Sequence, residues 1–373
     1  MINYGKILKH SWHNLWNYRI LWVFGLLLAI TGGGNTGGSD TFRYTFGSNR
    51  GSNGSSGYNP NFQPGPFLRS LTDWFNHYIS PLFEHPDQHV FTLIWIGLAF
   101  ILFILLLGVI AAFIRYPSET AVIRMVDEYE QTGAKAGFRQ GWKLGWNRRA
   151  FRVWVIDLLI GVPAVGFISF LLALGLAFFF SVIQGNAALA ISAVVALIGC
   201  GFLFIFAFVI LMVFLSLLRQ FFVRAAALEG TSIGESFRRG WALFKGNWKS
   251  AGLMWLVMLG IGIGYGIIGM ILFLLLIPAY LVLLLPALVV ASIPAAVAFG
   301  ISAIFGAGPV AWIIAGVVAL PFFLMVLFAP LTLLSGWYII YISNVWTLTY
   351  REIKTLEGIS PAQIPEDTAS ASS

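Results

Sequence analysis

No charged residue occurs between Ser250 and Tyr350, a run of 101 residues, and a second charge-free run of 61 residues extends from Leu158 to Leu218. A helix needs about 20 apolar residues to cross the roughly 30 Å hydrocarbon core of a bilayer. Each run is therefore long enough for at least two spans. Charged residues make up 10% of the 373-residue chain and hydrophobic residues 58%, against roughly 25% charged in an ordinary globular domain. A water-facing surface cannot be built from so few charges, which excludes a soluble enzyme, a disordered protein and a fibre. The one cysteine, Cys200, sits in an apolar run, which excludes a disulfide framework and a four-cysteine metal site. The chain reads as an all-α, polytopic integral membrane bundle.

The 158–218 run is broken at Gly185-Asn186, a turn pair, and so predicts two helices. Further spans are expected at Val90–Ile114 and, shorter, at Leu15–Thr31. The 250–350 run holds two to four spans, with interruptions at Pro278, Pro286, Pro294 and Gly306-Ala307-Gly308. The N-terminal apolar stretch is near the length of a signal-peptide core, but the long tryptophan-rich segment before it and the lack of an A-x-A site favour a retained anchor.

The net charge of +7 is distributed unevenly. Eight basic residues lie in 115–152, six in 219–249, three before residue 20, and Arg351 and Lys354 near the C-terminus. Only Arg43, Arg50 and Arg69 fall in the 32–89 loop, so 19 of the 22 are on one side. By the positive-inside rule, both termini and both basic loops are expected to be cytoplasmic in a cell (inner) membrane, with the Gly/Ser-rich loop outside.

Three segments resemble one another: Leu8-Lys9-His10-Ser11-Trp12 with Trp16-Asn17, Phe138-Arg139-Gln140-Gly141-Trp142 with Trp146-Asn147, and Phe237-Arg238-Arg239-Gly240-Trp241 with Asn247-Trp248. Each places a bulky apolar residue four before the first Trp and a small residue just before it. The unit ends match as well, at Ile123-Arg124, Val223-Arg224 and Tyr350-Arg351. The pattern predicts three units, each an amphipathic interfacial helix followed by two membrane helices: 1–130, 131–230 and 231–356. Unit one carries a Gly/Ser-rich exterior insertion at 32–66, and residues 357–373 form a disordered cytoplasmic tail. Six spans result, or eight if the extra 286–308 stretch of unit three contributes two more instead of a re-entrant hairpin.

In the third elbow, Phe237, Trp241, Phe244 and Trp248 recur at i, i+4, i+7 and i+11, one apolar stripe with Arg238, Arg239, Lys245 and Lys249 mostly off it. Such a helix suits the membrane interface, with indoles at headgroup level and basic side chains toward lipid phosphate. The lipid- or partner-facing candidates are Lys9, Trp12, Trp16, Arg139, Trp142, Trp146, Arg238, Arg239, Trp241 and Trp248. Topological anchoring would explain the same residues. The expected partners are anionic lipid headgroups and other membrane proteins, not nucleic acid.

The segments "FRRGWALFKGNWKS", "FRQGWKLGWNRRA" and "LKHSWHNLWNYRI" resemble the cytoplasmic elbows of the glycerophosphoryl diester phosphodiesterase membrane-domain-like families and related prokaryotic membrane families, and the closing "NVWTLTYREI" is similar to the end of their last helix. The resemblance implies a helical membrane fold. In the enzymes that give those families their name, catalysis resides in a separate soluble barrel. The longest polar stretch here, residues 32–89, could not form a barrel of about 250 residues, so the activity does not transfer.

Candidate chemistry is sparse. Asp157 reads as the sole acid within a membrane segment, either an intramembrane coupling group or a carboxylate paired with Arg149 or Arg152. His85, Asp87 and His89 are of metal-ligand type, but Pro86 breaks their common face, and no metal site is expected. The glycines of "GIGIGYG" (Gly260–Gly266) have no preceding strand and read as small-xxx-small packing pairs instead of a phosphate loop. Serines and threonines within the spans (Ser169, Ser335 and others) bond to the preceding turn more often than they line a pathway. No catalytic motif, and hence no enzyme or cofactor, is expected. A small-solute or lipid transporter using Asp157, with helices kinked at prolines, is the alternative.

Overall fold

The computed structural model describes residues 3–32, 90–183, 187–304 and 310–359. Within them the chain is helical throughout, without strands: α1 (Tyr4–Asn17), α2 (Ile20–Ile30), α3 (Val90–Thr132), α4 (Phe138–Gly145), α5 (Arg148–Ile183), α6 (Ala187–Arg224), a π-helical turn (Ala225–Glu229), α7 (Ile233–Gly246), α8 (Trp248–Leu275), α9 (Ile277–Ile304), α10 (Val310–Leu327) and α11 (Ala329–Ile359). The protein is an all-α polytopic membrane protein.

Among the described residues, six helices are long and apolar enough to cross a membrane, at Ile101–Thr132, Arg148–Phe180, Phe204–Glu229, Trp248–Leu275, Ile277–Ile304 and Ala329–Leu356. Two shorter apolar helices accompany them, Ile20–Ile30 and Ala311–Leu327. The six differ in membership from those expected. The first apolar segment yields only the 11-residue α2, while the 250–350 run supplies three long helices and one short one. Pro286 and Pro294 lie inside α9 without breaking it; the break falls at Leu276, just ahead of Pro278. The turn expected at Gly185-Asn186, the Gly306–Gly308 turn, the 33–89 loop with its histidines, and the tail from 360 lie outside the described residues.

The helices also outrun the charge-free runs. α3 was expected to stop at Ile114 but continues to Thr132, and α6 passes Leu218 to Arg224. These continuations are largely buried. Elsewhere the long helices present apolar side chains outward, Leu102, Ile168, Val282 and Leu285 being 61–73% exposed, as a hydrocarbon environment allows.

The chain divides into two compact units. The first comprises residues 1–39, 114–265 and 335–373. Its core forms where the ends of α3, α6 and α11 meet pairwise. Ile123 packs with Leu218 and Phe222, Leu217 and Phe221 with Ile342 and Val345, and Val122 and Met125 with Ile339 and Ile340. α2 lies against α11 backbone to backbone: a Cβ added at Gly25 would stand 2.5 Å from the Gly336 carbonyl oxygen, an approach only glycine permits.

Three short helices pack on these ends. α1 lies on α11 through Trp12–Tyr341 and Trp16–Trp337 ring contacts at 6.0 and 5.7 Å. α4 lies on α3, where a Cβ at Gly141 or Gly145 would collide with Met125 or the Pro117 carbonyl. α7 lies on α6 through Phe237–Phe222 at 4.6 Å, with Gly240 against Phe222. The small residue before each first Trp (Ser11, Gly141, Gly240) is buried in every case. Asn3 and Ser232 cap α1 and α7, their side chains accepting from the N–H of Lys6 and Glu235.

The second unit comprises residues 40–113 and 266–334. Within it Ala287, Ala291, Ala311 and Ala315 are buried on α9 and α10, and Phe299 meets Trp312 at 4.4 Å.

Candidate functional site

The sequence-derived candidates fall into two places. Lys9, Trp12 and Trp16 stand on α1, Arg139 and Trp142 on α4 with Trp146 just beyond it, Arg238, Arg239 and Trp241 on α7, and Trp248 opens α8. Trp12, Trp16, Trp146, Trp241 and Trp248 are 43–59% exposed. Lys9, Arg139 and Arg238 are exposed beside them. Trp142 is half-buried between Phe138 and Trp146, with rings at 6.2 and 5.9 Å. Arg239 reaches Glu229 at 3.7 Å, and the Lys249 ammonium lies 5.8 Å from the Trp248 ring.

The stripe expected on α7 divides in two. Phe237 and Phe244 turn inward onto Phe222 and Phe221, while Trp241 and Trp248 remain outward. The reason is Gly240, which lets α7 approach α6 closely enough to bury one side of the stripe. A surface groove of about 420 Å³ runs along this elbow, lined by Glu229, Thr231, Glu235, Arg238, Arg239 and Ala242.

Asp157 lies elsewhere, and not with its expected partners. Its carboxylate accepts from the Arg219 guanidinium, through Nε and through Nη2 at 2.9 Å, and from Arg115 Nη2 at 3.2 Å. Arg149 and Arg152 instead serve the end of the π-helical turn. Arg149 donates to the Ala227 and Leu228 carbonyls at 2.8 and 3.1 Å, and Arg152 to those of Gly230 and Thr231. They supply partners for carbonyls left free at a helix C-terminus. Gly230 takes φ +66° directly against the Arg149 guanidinium, which holds the chain's exit in a left-handed conformation.

Asp157 is also not the sole acid within the helices long and apolar enough to cross a membrane. Glu119, on the α3 continuation, accepts from Arg219 Nη2 at 2.9 and 3.0 Å. Arg219 is thus buried between two carboxylates whose side chains are each 8% exposed. One turn on, Arg224 is buried too. Its Nη1 donates to the Gln220 carbonyl and Oε1 at 2.9 and 2.7 Å, and its Nη2 to the Ser343 carbonyl at 3.3 Å. Arg351 ties α11 to Asp127 of α3, and Tyr350 donates to Glu229 at 2.8 Å.

Glu119 and Arg219 were missed because the spans were drawn to end at the first charge. A signal was available. With the unit ends aligned on Arg124, Arg224 and Arg351, the position five residues earlier holds Glu119, Arg219 and Trp346, and the next holds Thr120, Gln220 and Thr347. Polar residues at matched places on apolar helices point to an internal network.

Within the "GIGIGYG" stretch of α8, only Gly262 meets a neighbour, the Tyr338 hydroxyl, at 3.0 Å from an added Cβ. Gly260, Gly264 and Gly266 face open space, so the packing expected of four glycines is made by one. Among the described residues no group of three potential metal ligands comes together. The model of a family of unknown function, DUF7544, matches residues 15–348 of the chain. Comparison with curated proteins and with solved structures gives no match.

Proposed function

The chain belongs to this family of unknown function, and we propose that it is a non-catalytic accessory or scaffold protein of the cell membrane that engages anionic lipid headgroups through its three elbows. The observation that carries the reading is the pairing of outward tryptophans with outward cations on all three elbows, at Trp12 with Lys9, at Trp146 with Arg139, and at Trp241 with Arg238. An indole prefers the headgroup level, where its ring is apolar and its N–H is wet. A neighbouring Lys or Arg then reaches lipid phosphate, each worth on the order of 1 kcal/mol beside an anionic leaflet. On this reading the elbows and both termini face the cytoplasm.

The transport alternative has less support. A coupling carboxylate must exchange its proton or ion with water, whereas Asp157 is nearly buried and engaged by two guanidiniums.

The test is to replace Arg238, Lys245 and Lys249 with Gln, which spares Arg239 and its bridge to Glu229. Co-purified acidic lipid and binding to vesicles containing phosphatidylglycerol should fall sharply, with the fold intact. Unchanged lipid retention would leave the elbows as topological anchors. Loss of a co-purifying membrane protein, with lipid retention unchanged, would shift the reading to a protein partner.

A further inference from the structure

We propose that the polar layer where α3, α6 and α11 meet binds one small monovalent anion of halide size, with Arg224 as its charge partner. Two arginines fix the level of the layer. Arg219 joins Glu119 across α6 and α3, and Arg224 reaches both Gln220 on its own helix and the Ser343 carbonyl of α11. These bonds join α6 to α3 at Glu119 and to α11 at Ser343, beside Asn344.

The charges in this layer do not cancel. Arg115, Arg219 and Arg224 stand against Glu119 and Asp157, and both carboxylates are occupied by Arg219 and Arg115. Arg224 is 2% exposed, and every atom it bonds is a neutral oxygen. A guanidinium does not give up its proton in a protein, so this cation must persist in a medium that penalises unpaired charge heavily.

The hydrogen-bond capacity points the same way. Arg224 Nε, Arg219 Nη1, Asn344 Nδ2 and the hydroxyls of Ser118 and Thr120 are buried and find no partner in the protein. All five residues are 2% exposed or less. Donors outnumber acceptors among these groups, with Asn344 Oδ1 the one remaining dedicated acceptor. Water would fill the hydrogen bonds but leave the charge. A lipid phosphate could not reach a site this buried, and a divalent oxyanion would overshoot one net charge. A halide matches both the charge and the donor set.

The experiment measures thermal unfolding of the detergent-solubilised full chain as bromide replaces gluconate at constant ionic strength. Wild type should gain stability along a saturation curve, roughly 5 °C at a hundredfold excess over Kd. Arg224→Gln should abolish the dependence. Should that variant fail to fold, Asn344→Asp places a carboxylate in the layer and should fold with a Tm independent of bromide. Crystals soaked in bromide should show an anomalous peak beside Arg224. Equal wild-type Tm in gluconate and bromide, full bromide dependence in Asn344→Asp, or anomalous peaks at surface lysines alone (an adventitious ion only) would each overturn the proposal.

Discussion

Removing the Arg219 side chain should expose how much of the fold depends on its two carboxylates. In Arg219→Met the helix propensity hardly changes and most of the side-chain volume remains. The Glu119 carboxylate then loses its hydrogen bonds among the described residues, since both come from Arg219 Nη2. Asp157 keeps only Arg115, at 3.2 Å. Breaking a buried ion pair by deleting one partner costs about 3–5 kcal/mol, because the other charge stays behind in a poor medium. At roughly 2–4 °C per kcal/mol, Tm should fall by about 10 °C. The companion variant Glu119→Gln leaves Arg219 its Asp157 partner and should cost only about 1–2 kcal/mol. In the double variant the stranded carboxylate is gone, so the two losses should not add; a coupling of about 2 kcal/mol is expected. The assay is thermal unfolding in detergent micelles, followed by intrinsic tryptophan fluorescence and by the monodisperse fraction on size exclusion. An Arg219→Met protein melting within 2 °C of wild type, a difference too small for a buried pair, would refute the reasoning, as would strictly additive losses in the double variant.

Gly145→Ala should destabilise by about 1–3 kcal/mol, because the added methyl would run into the Pro117 carbonyl oxygen and stand 2.8 Å from the Ala121 side chain. Gly161→Ala, in open space within α5, should instead be neutral or gain up to about 1 kcal/mol, and comparing the two melting curves checks the pair. For topology, cysteine introduced at Ser55 should react with impermeant maleimide on intact cells, and cysteine at the exposed Lys245 only after permeabilisation; reaction of both from one side would overturn the cytoplasmic placement of the elbows.

Much of the helical plan could be read from residues alone, for a simple physical reason. Apolar runs of this length have one use, and breaks at Tyr18-Arg19, Trp146-Asn147 and Asn247 separate each short helix from the apolar helix that follows it. What the residues concealed was how far a helix can carry charge past the edge of an apolar run. Arg219 looked like the start of a basic loop because its compensation lies 100 residues away at Glu119 and 62 away at Asp157. Hydropathy is local, and an ion pair is not. The same limit hid the direction of the α7 stripe. Spacing put Phe237 and Trp241 on one face, yet the contact that separates them belongs to Gly240 and Phe222, a partner no periodicity on α7 can reveal.

The placement of the three short helices links sequence order to packing in a way that bears on assembly. α4 docks on the end of α3, which immediately precedes it, and α7 docks on the end of α6 and its π-helical turn, which likewise precede it. Each can therefore settle as soon as it is made. α1 is the exception, since its docking surface is α11, more than 300 residues later, through Trp12–Tyr341 and Trp16–Trp337. Its other ties include the end of α3 and the stretch after it: Asn14 donates to Glu130 at 2.6 Å, Lys135 to the Asn17 carbonyl at 3.0 Å, and Tyr18 to the Ala136 carbonyl at 2.8 Å. Those bonds can form early and hold α1 near its place, but the cluster that buries Ile7 includes Tyr338, Ile342 and Trp346 of α11 and is complete only once α11 arrives. Contacts of such long sequence separation form late because the loop entropy must be met before they contribute. The first elbow is thus made first and completed last, and the contact that completes it also closes α3, α6 and α11 around the buried arginines.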